Sequence, residues 1–393
     1  MTPAARVQTS IELLDAIVAG ARGQGAPADR ILADWFRANR FAGSKDRRAI
    51  RELVYAAIRA CGPVPENGRA AMLRLAEVDP VIAPLFDGSR YGPKPSSAEE
   101  RPAQGGIAPA WLVERLAASD VANSEAAALL DRAPLDLRVN TLKAERAALS
   151  LPVAAEPTIA PHGLRLEPGI NVDQWREYRE GLVEIQDSGS QIACLAVAAQ
   201  PGETVVDLCA GAGGKTLALA AAMANRGRLV ACDTDRGRLS NLPRRAERAG
   251  ATIADTRLLD PGRELETLSD LLGQADAVLV DAPCSGTGTW RRNPEARWRL
   301  EPAGLERLVT TQRHILDYAV RLLKPGGRLV YVTCSLLDEE GAGQFDAFLG
   351  RHPGFAAEGL DLPAGTQRGR GVRLTPHHDG TDGFFIARAA LAC

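Results

Sequence analysis

Two cysteines follow apolar runs in the C-terminal half of the chain. One run is Val278-Leu279-Val280-Asp281-Ala282-Pro283-Cys284, and the other is Leu329-Val330-Tyr331-Val332-Thr333-Cys334. Short apolar runs that break into turn residues read as buried parallel strands. Both thiols then emerge at strand ends, with the Asp281 carboxylate beside them. A lone cysteine is more often a small core residue, but two at neighbouring strand ends can face one pocket. Thiols are strong nucleophiles even when only partly ionised. One reaction needs a thiol, a carboxylate and a methyl donor together. Carbon 5 of a pyrimidine is too weak a nucleophile to attack a sulfonium methyl group, until a thiolate adds to carbon 6 and turns the ring into an enamine. An acid near ring nitrogen 3 offsets the developing charge, and a base later removes the carbon-5 proton. Methylation of an exocyclic amine needs no adduct. Those enzymes favour Asn/Asp-Pro-Pro-aromatic where this chain has Asp281-Ala282-Pro283-Cys284.

A donor needs a pocket, and Thr204 to Thr216 (Thr-Val-Val-Asp-Leu-Cys-Ala-Gly-Ala-Gly-Gly-Lys-Thr) is the candidate. A β-branched strand breaks into glycines, and a helix begins after Lys215. This brings backbone N–H groups and a positive dipole end to one point. Three ligands compete for it. A P-loop would use Lys215 and Thr216, but Cys209 stands where its first glycine belongs. A dinucleotide loop fits Gly211 and Gly213 but finds Thr216 in place of a third glycine. S-adenosylmethionine needs close backbone and a carboxylate for its ribose. Asp233, 20 residues past Gly213, ends the next apolar run. A tight turn with no ligand is the plain alternative.

The remaining elements must position these groups. Strands are expected near 204–210, 228–234, 252–258, 276–282 and 328–334, with a helix over Leu305 to Leu323 stopped by Lys324-Pro325-Gly326-Gly327. That rhythm implies a parallel sheet wrapped by helices. Gly383 to Arg388 could add a last strand. Gln186 to Gln191 caps an apolar helix, Ile192 to Ala199. Residues 129–185 read as a small α/β bridging module, and residues 88 to 109 as a surface loop. Residues 1–128 read as helical: Ile11, Leu14, Ile17 and Val18 share a face, as do Ile31, Leu32, Trp35 and Phe36, and Ile50, Leu53, Val54, Ala57 and Ile58.

Two basic stretches stand out. Arg37 to Arg59 holds seven basic residues against Asp46 and Glu52, and Arg47 and Arg48 are its centre. Trp290-Arg291-Arg292-Asn293-Pro294-Glu295-Ala296-Arg297-Trp298-Arg299 follows Cys284. Arg291 and Arg292 could hold phosphates, and Trp298 could stack a splayed base. The alternatives are a solvated helix face for the first and inward-packed tryptophans for the second. Net charge is only −2, so nucleic-acid binding must come from such local patches.

At 393 residues and 45% apolar content, two or three domains with ample cores are expected. No apolar run reaches a membrane span, and no secretory signal is legible, so a cytoplasmic protein is expected. Seven cysteines without a Cys-x-x-Cys pair argue against disulfides and metal. Cys209 and Cys232 read as packing residues; Cys61, Cys194 and Cys393 carry no site argument.

Asp207 to Thr216, Asp281 to Gly288 and Thr333-Cys334-Ser335 resemble the signature motifs of the RNA cytosine-5 methyltransferases of the Sun/Fmu group, the RsmB-type bacterial rRNA enzymes among them. The resemblance covers about 190 to 393. Phe41 to Arg48 before a helix resembles the NusB-like RNA-binding domain of such enzymes. The resemblance implies a Rossmann-like methyltransferase domain over 186–393 using S-adenosylmethionine, an all-α NusB-like domain before it, and small-subunit rRNA as substrate. Cys334 matches that family's nucleophile, and Cys284 the cysteine that helps product release. Position alone assigns neither role. Cys209, Ala210, Gly211, Ala212, Gly213, Gly214, Lys215, Asp233, Asp260 and Asp281 match cofactor-binding positions, and the resemblance further implies a contact of Asp281 with the cytosine. The family loop usually has proline where this chain has Ala212. A monomer is favoured. A tRNA cytosine-5 methyltransferase, a non-catalytic NusB-like factor and a nucleotide hydrolase remain the alternatives.

Overall fold

The computed structural model describes residues 1–23 and 25–392; Cys393 lies outside the described residues. The chain divides into two compact units. Residues 1–131 with 289–301 form one, and 132–288 with 302–393 the other. The bridging module therefore belongs with the C-terminal unit. The segment after Cys284 belongs with the helical one, which differs from the sequence division at 128 and 186.

The helical unit is built on Pro3–Arg22, Ala28–Ala38, Ser44–Ala60 and Gly68–Val78. Thr2 caps the first helix through its hydroxyl, with Pro3 at the first position, and Asn67 caps the fourth. The expected apolar stripes meet in one core: Leu14, Ile17, Leu32, Ile50, Val54, Ile58 and Met72 are buried together. Trp298 completes that core.

Segment 289–301 works as a set of helix caps. Arg297 is buried, and its guanidinium donates to the Ile58 and Cys61 carbonyls at 2.7 and 2.6 Å, at the end of helix Ser44–Ala60. Arg299 donates to Gly20, Gly25 and Ala26 at 3.0, 2.9 and 2.7 Å, in the last turn of the first helix and just past it. Glu295 accepts the Ala28 N–H at 3.0 Å, where the second helix begins. Cations sit at helix C-termini and the anion at an N-terminus, as the macrodipole favours. Burial lowers Arg297 to about 10, which still leaves it charged at neutral pH. These placements correct two expectations. Trp298 is buried with its indole N–H on the Gly62 carbonyl at 3.1 Å, so it presents no face to a base. Arg291 is buried and Arg292 half-buried, so neither extends as a free phosphate ligand.

The C-terminal unit carries two sheets. Strands β1 (Leu135–Val139), β2 (Glu156–Pro157), β3 (Gly163–Leu166) and β4 (Val183–Ile185) pair antiparallel in the order β2-β3-β1-β4. Buried Asp136 ties this sheet to the helix Ser188–Leu195. It accepts from Arg165 at 2.7 Å and from the Ser188 hydroxyl at 2.7 Å. Asp187 caps that helix, which ends at Leu195, short of the expected Ala199.

The large sheet contains β5 (Thr204–Asp207), β6 (Arg228–Asp233), β7 (Ala254–Leu258), β8 (Ala275–Asp281), β9 (Leu323–Thr333), β10 (Phe355–Glu358), β11 (Thr366–Arg368), β12 (Gly371–Leu374) and β13 (Phe384–Leu391). Its order is β11-β12-β13-β9-β8-β5-β6-β7, with β10 on β13. Strands β5 to β9 are parallel, and β13 joins β9 antiparallel. Alternate residues feed the two faces: Val206, Val230, Val278 and Tyr331 pack on one side, and Val205, Leu229, Leu279 and Val332 on the other. The helix expected over Leu305 to Leu323 spans Pro302–Ala319, and a single 3-10 turn, Val320–Leu322, follows it. Residues 355–374 form three strands the sequence pattern did not announce.

Candidate active site

Strand order runs from β5 to β7 in one direction and from β8 to β9 in the other. The crevice at the carboxyl ends of β5 and β8 is therefore the switch point where α/β sheets bind ligands. A cavity of about 700 Å³ lies there, within the range of small-molecule sites. Leu208 and Cys209 follow β5, Asp233 ends β6, Pro261, Gly262 and Glu264 follow β7, and Asp281, Pro283 and Cys284 follow or end β8. Cys334 follows β9, and Thr310, His314, Ile315 and Tyr318 come from helix Pro302–Ala319. Sequence reasoning missed the helix residues, because their helical spacing reads as core packing.

The glycine loop is built around left-handed backbone. Gly211 has φ +55° and Gly213 +86°, and a Cβ on Gly213 would lie 1.7 Å from Leu242 Cδ1. At Gly214 an added Cβ would meet nothing within 4 Å, so that backbone is open to a ligand. The Gly211 N–H donates to Asp233 Oδ2 and the Asp235 N–H to Oδ1, both at 2.7 Å, which fixes the carboxylate at the cavity wall. Arg245 donates to the Ala212 carbonyl at 2.7 Å and braces the turn. Residues 210–215 do not themselves line the cavity, whereas the oriented Asp233 carboxylate does and fits the ribose of a nucleoside-bearing methyl donor. Asp260 is exposed and does not line the cavity, whereas Glu264, one turn on, is buried and does.

Lys215 and Thr216 are engaged in ways that leave no phosphate cradle. The Lys215 ammonium sits 2.7 Å from Asp281 Oδ2. Burial disfavours its charge, but Asp281 more than offsets this and raises it above its ordinary value. The Thr216 hydroxyl donates to Asp207 at 2.7 Å. Burial lifts Asp207 to about 7 despite that bond, with Asp281 adding to the rise.

The two sulfurs meet: Cys284 Sγ and Cys334 Sγ lie 3.3 Å apart. The Cys334 sulfur, then burial, then the Cys334 and Glu340 charges hold the Cys284 thiol well above its ordinary value. A buried polar network fixes both turns. Glu340 accepts the Ser285 N–H at 2.8 Å and the Gln312 amide at 2.9 Å, and it also bonds the Ser285 hydroxyl. Gln312 donates in addition to the Pro283 carbonyl at 3.0 Å. Ser335 lies 3.2 Å from Ser285 and 3.1 Å from Thr287, and the Gly288 N–H donates to the Cys334 carbonyl at 3.0 Å. Glu340 and Gln312 carry no motif that would reveal them from sequence, whereas Ser335 closes the Thr333-Cys334-Ser335 motif. Burial also raises Cys209 and Cys232, the two cysteines read as packing residues.

In the helical unit, Arg48 is exposed, and Arg47 is half-buried with its Nε on the Ala42 carbonyl at 2.8 Å. Among the described residues no cluster could hold a metal ion, and no helix is long and apolar enough to cross a membrane.

A family described as 16S rRNA methyltransferase RsmB/F matches residues 194–390. The ribosomal RNA small subunit methyltransferase B of Sodalis glossinidius is 37% identical over 294 residues, covering 71% of this chain and 65% of that protein. The Shewanella oneidensis protein of the same name is 34% identical, covering 72% of this chain and 67% of its own length. The chain thus spans about two thirds of such relatives. Among solved structures, PH0851 superposes with a TM-score of 0.76 at 26% identity, covering 99% of both chains.

Proposed function

The chain belongs to the RsmB/F family of 16S rRNA methyltransferases, and on that premise we propose that it methylates carbon 5 of a cytosine in small-subunit rRNA. The observation that carries this reading is the 3.3 Å approach of Cys284 and Cys334 in a cavity shared with Asp233 and Asp281. S-adenosylmethionine supplies the electrophilic methyl group when bound. Asp233 would hold its ribose and the Gly211–Gly214 backbone its methionyl part, with Ile315 and Tyr318 offering apolar wall to the base.

Cys334 loses its proton to solvent and its thiolate adds to carbon 6 of the cytosine, forming the carbon–sulfur bond as the carbon 5–carbon 6 double bond opens. The ring electrons move toward carbon 5 and nitrogen 3. The Asp281–Lys215 pair offsets charge on the ring there, since its ammonium is held beside the carboxylate at 2.7 Å. Cys284 lies 3.3 Å from the Cys334 sulfur, and its own thiol is held well above its ordinary value, so Cys334 is taken as the nucleophile on its match to the family motif. Once carbon 5 has taken the methyl group, a water molecule in the crevice would take its proton as base. Carbon 5 and carbon 6 regain their double bond and the Cys334 sulfur departs, with Cys284 assisting that release. The target base must first leave its stack to reach the crevice.

Methyl transfer to small-subunit rRNA and to tRNA, followed by mapping of 5-methylcytosine, tests substrate and position. Cys334→Ala should abolish methylation and any covalent complex. Cys284→Ala should accumulate a protein–RNA adduct that survives denaturing electrophoresis. An adduct in Cys334→Ala but none in Cys284→Ala would exchange the roles. Full methylation by both variants without adduct would end the thiol mechanism.

A further inference from the structure

Almost every aromatic ring of this chain is buried or half-buried. Of its eight Phe, five Tyr and five Trp, only Phe41 and Tyr91 are exposed, at 70% and 64%. They are far apart in sequence, yet both line one groove of about 780 Å³ on the helical unit. Leaving a large ring in water forgoes about 1.5–3 kcal/mol of burial, and two such rings in one groove are not a by-product of core formation. The rings are also held. Phe41 stands edge-on to Trp35 with centroids 6.1 Å apart, and Arg47 clamps its turn through the Ala42 carbonyl. The Tyr91 turn is closed by Gly88 N–H to Pro93 and Gly92 N–H to Ser89 bonds, both 3.0 Å. Arg90 lies over the Tyr91 ring at 5.1 Å.

The groove carries cations as well as rings. Arg90 and Lys94 line it against Glu12, and Arg40, Lys45 and Arg48 are exposed on either side of Phe41 in the chain. An apolar protein helix laid here would cover the rings but desolvate the cations without counter-charge. A single-stranded nucleic acid satisfies both, because every base has a π-face and every linkage a phosphate.

We propose that this groove is a stacking platform for unpaired bases of the RNA substrate, with Phe41 and Tyr91 under the bases and Arg90 and Lys94 on the phosphates. It rests on the reading of this chain as an RNA methyltransferase, and it fills the stacking role that buried Trp298 cannot.

The full chain is titrated with a single-stranded oligoribonucleotide and with its duplex over a salt series, alongside methyl transfer to small-subunit rRNA. Phe41→Ala and Tyr91→Ala should each weaken single-strand affinity about 10-fold at unchanged salt slope, and Phe41→Trp should keep it. Lys94→Gln should instead flatten the slope by about 0.7, and duplex affinity should move in none of the aromatic variants. Unchanged single-strand affinity in both alanine variants, with wild-type methylation intact, overturns the platform and leaves the enzyme reading standing. A loss of self-association with RNA affinity retained assigns the groove to a second copy of the chain and equally overturns it. Wild-type protein that neither binds nor methylates RNA overturns the underlying reading and the platform with it. Melting temperatures within a degree or two of wild type confirm that the variants fold.

Discussion

The strand-end crevice and segment 289–301 adjoin in sequence, and both are dense in reactive or charged side chains. In the crevice, Asp233, Asp281, Cys284 and Cys334 line a cavity. In the segment, Glu295, Arg297 and Arg299 are spent on the protein's own backbone. What differs is the state of the nearby main chain. Parallel strands satisfy one another's N–H and C=O groups, so side chains at their ends remain available. Helix ends leave four orphan groups each, and charged residues arriving there are captured. Residue type announces chemical ability; unsatisfied backbone decides whether a ligand or the fold uses it.

The largest expected effect comes from breaking the captured side. Arg297→Ala removes two charge-assisted hydrogen bonds and opens a cavity in the helical unit, a loss of about 3–5 kcal/mol. Denaturant unfolding should show it, with cofactor binding by the C-terminal unit retained at temperatures where that unit stays folded. Unchanged stability would mean the caps contribute little and that the contrast drawn here is wrong.

Asp233→Ala tests the strand-end crevice. Its carboxylate is aimed by two backbone N–H groups, so the side chain should bind a ribose with little reorganisation. Loss of charge-assisted hydrogen bonds should weaken S-adenosylmethionine binding by about 1.5–3 kcal/mol. Calorimetry is the measurement, and an unchanged affinity removes Asp233 from the site.

The same contrast explains what the sequence could reveal. Strand ends are local: the β-branched run, the glycines and Asp233 announced the crevice, and β5, β6, β8 and β9 lie where apolar runs place them. The antiparallel strands β10 to β12 were not legible: β10 pairs with the distant β13, and the local hairpin of β11 and β12 is short and built from residues such as Gln367 with weak strand preference. The inward turn of Trp298 was equally hidden. Its partner is the Gly62 carbonyl, 236 residues away in sequence, and no local spacing encodes such a contact. Glu340 escaped for the same reason, since it stands outside every motif yet holds the Cys284 turn.

The smallest expected effect separates two neighbours that the sequence treats alike. Arg47 and Arg48 share charge and helix, but only Arg48 is exposed; Arg47 bonds the Ala42 carbonyl and lies 5.8 Å over the Phe36 ring. An exposed arginine that meets a phosphate acts through counterion release. Arg48→Ala should therefore lower the slope of log affinity against log salt by about 0.7–0.9 and weaken RNA binding a few-fold. Its stability should stay within about 0.5 kcal/mol. Arg47→Ala should show the reverse pattern: a loss of about 1 kcal/mol from the carbonyl bond and the ring contact, with the salt slope nearly unchanged. Paired salt titrations and unfolding curves of the two variants decide it. If both change the slope equally and neither changes stability, the basic run acts as one undivided phosphate-binding surface, and capture by the backbone does not distinguish these two arginines.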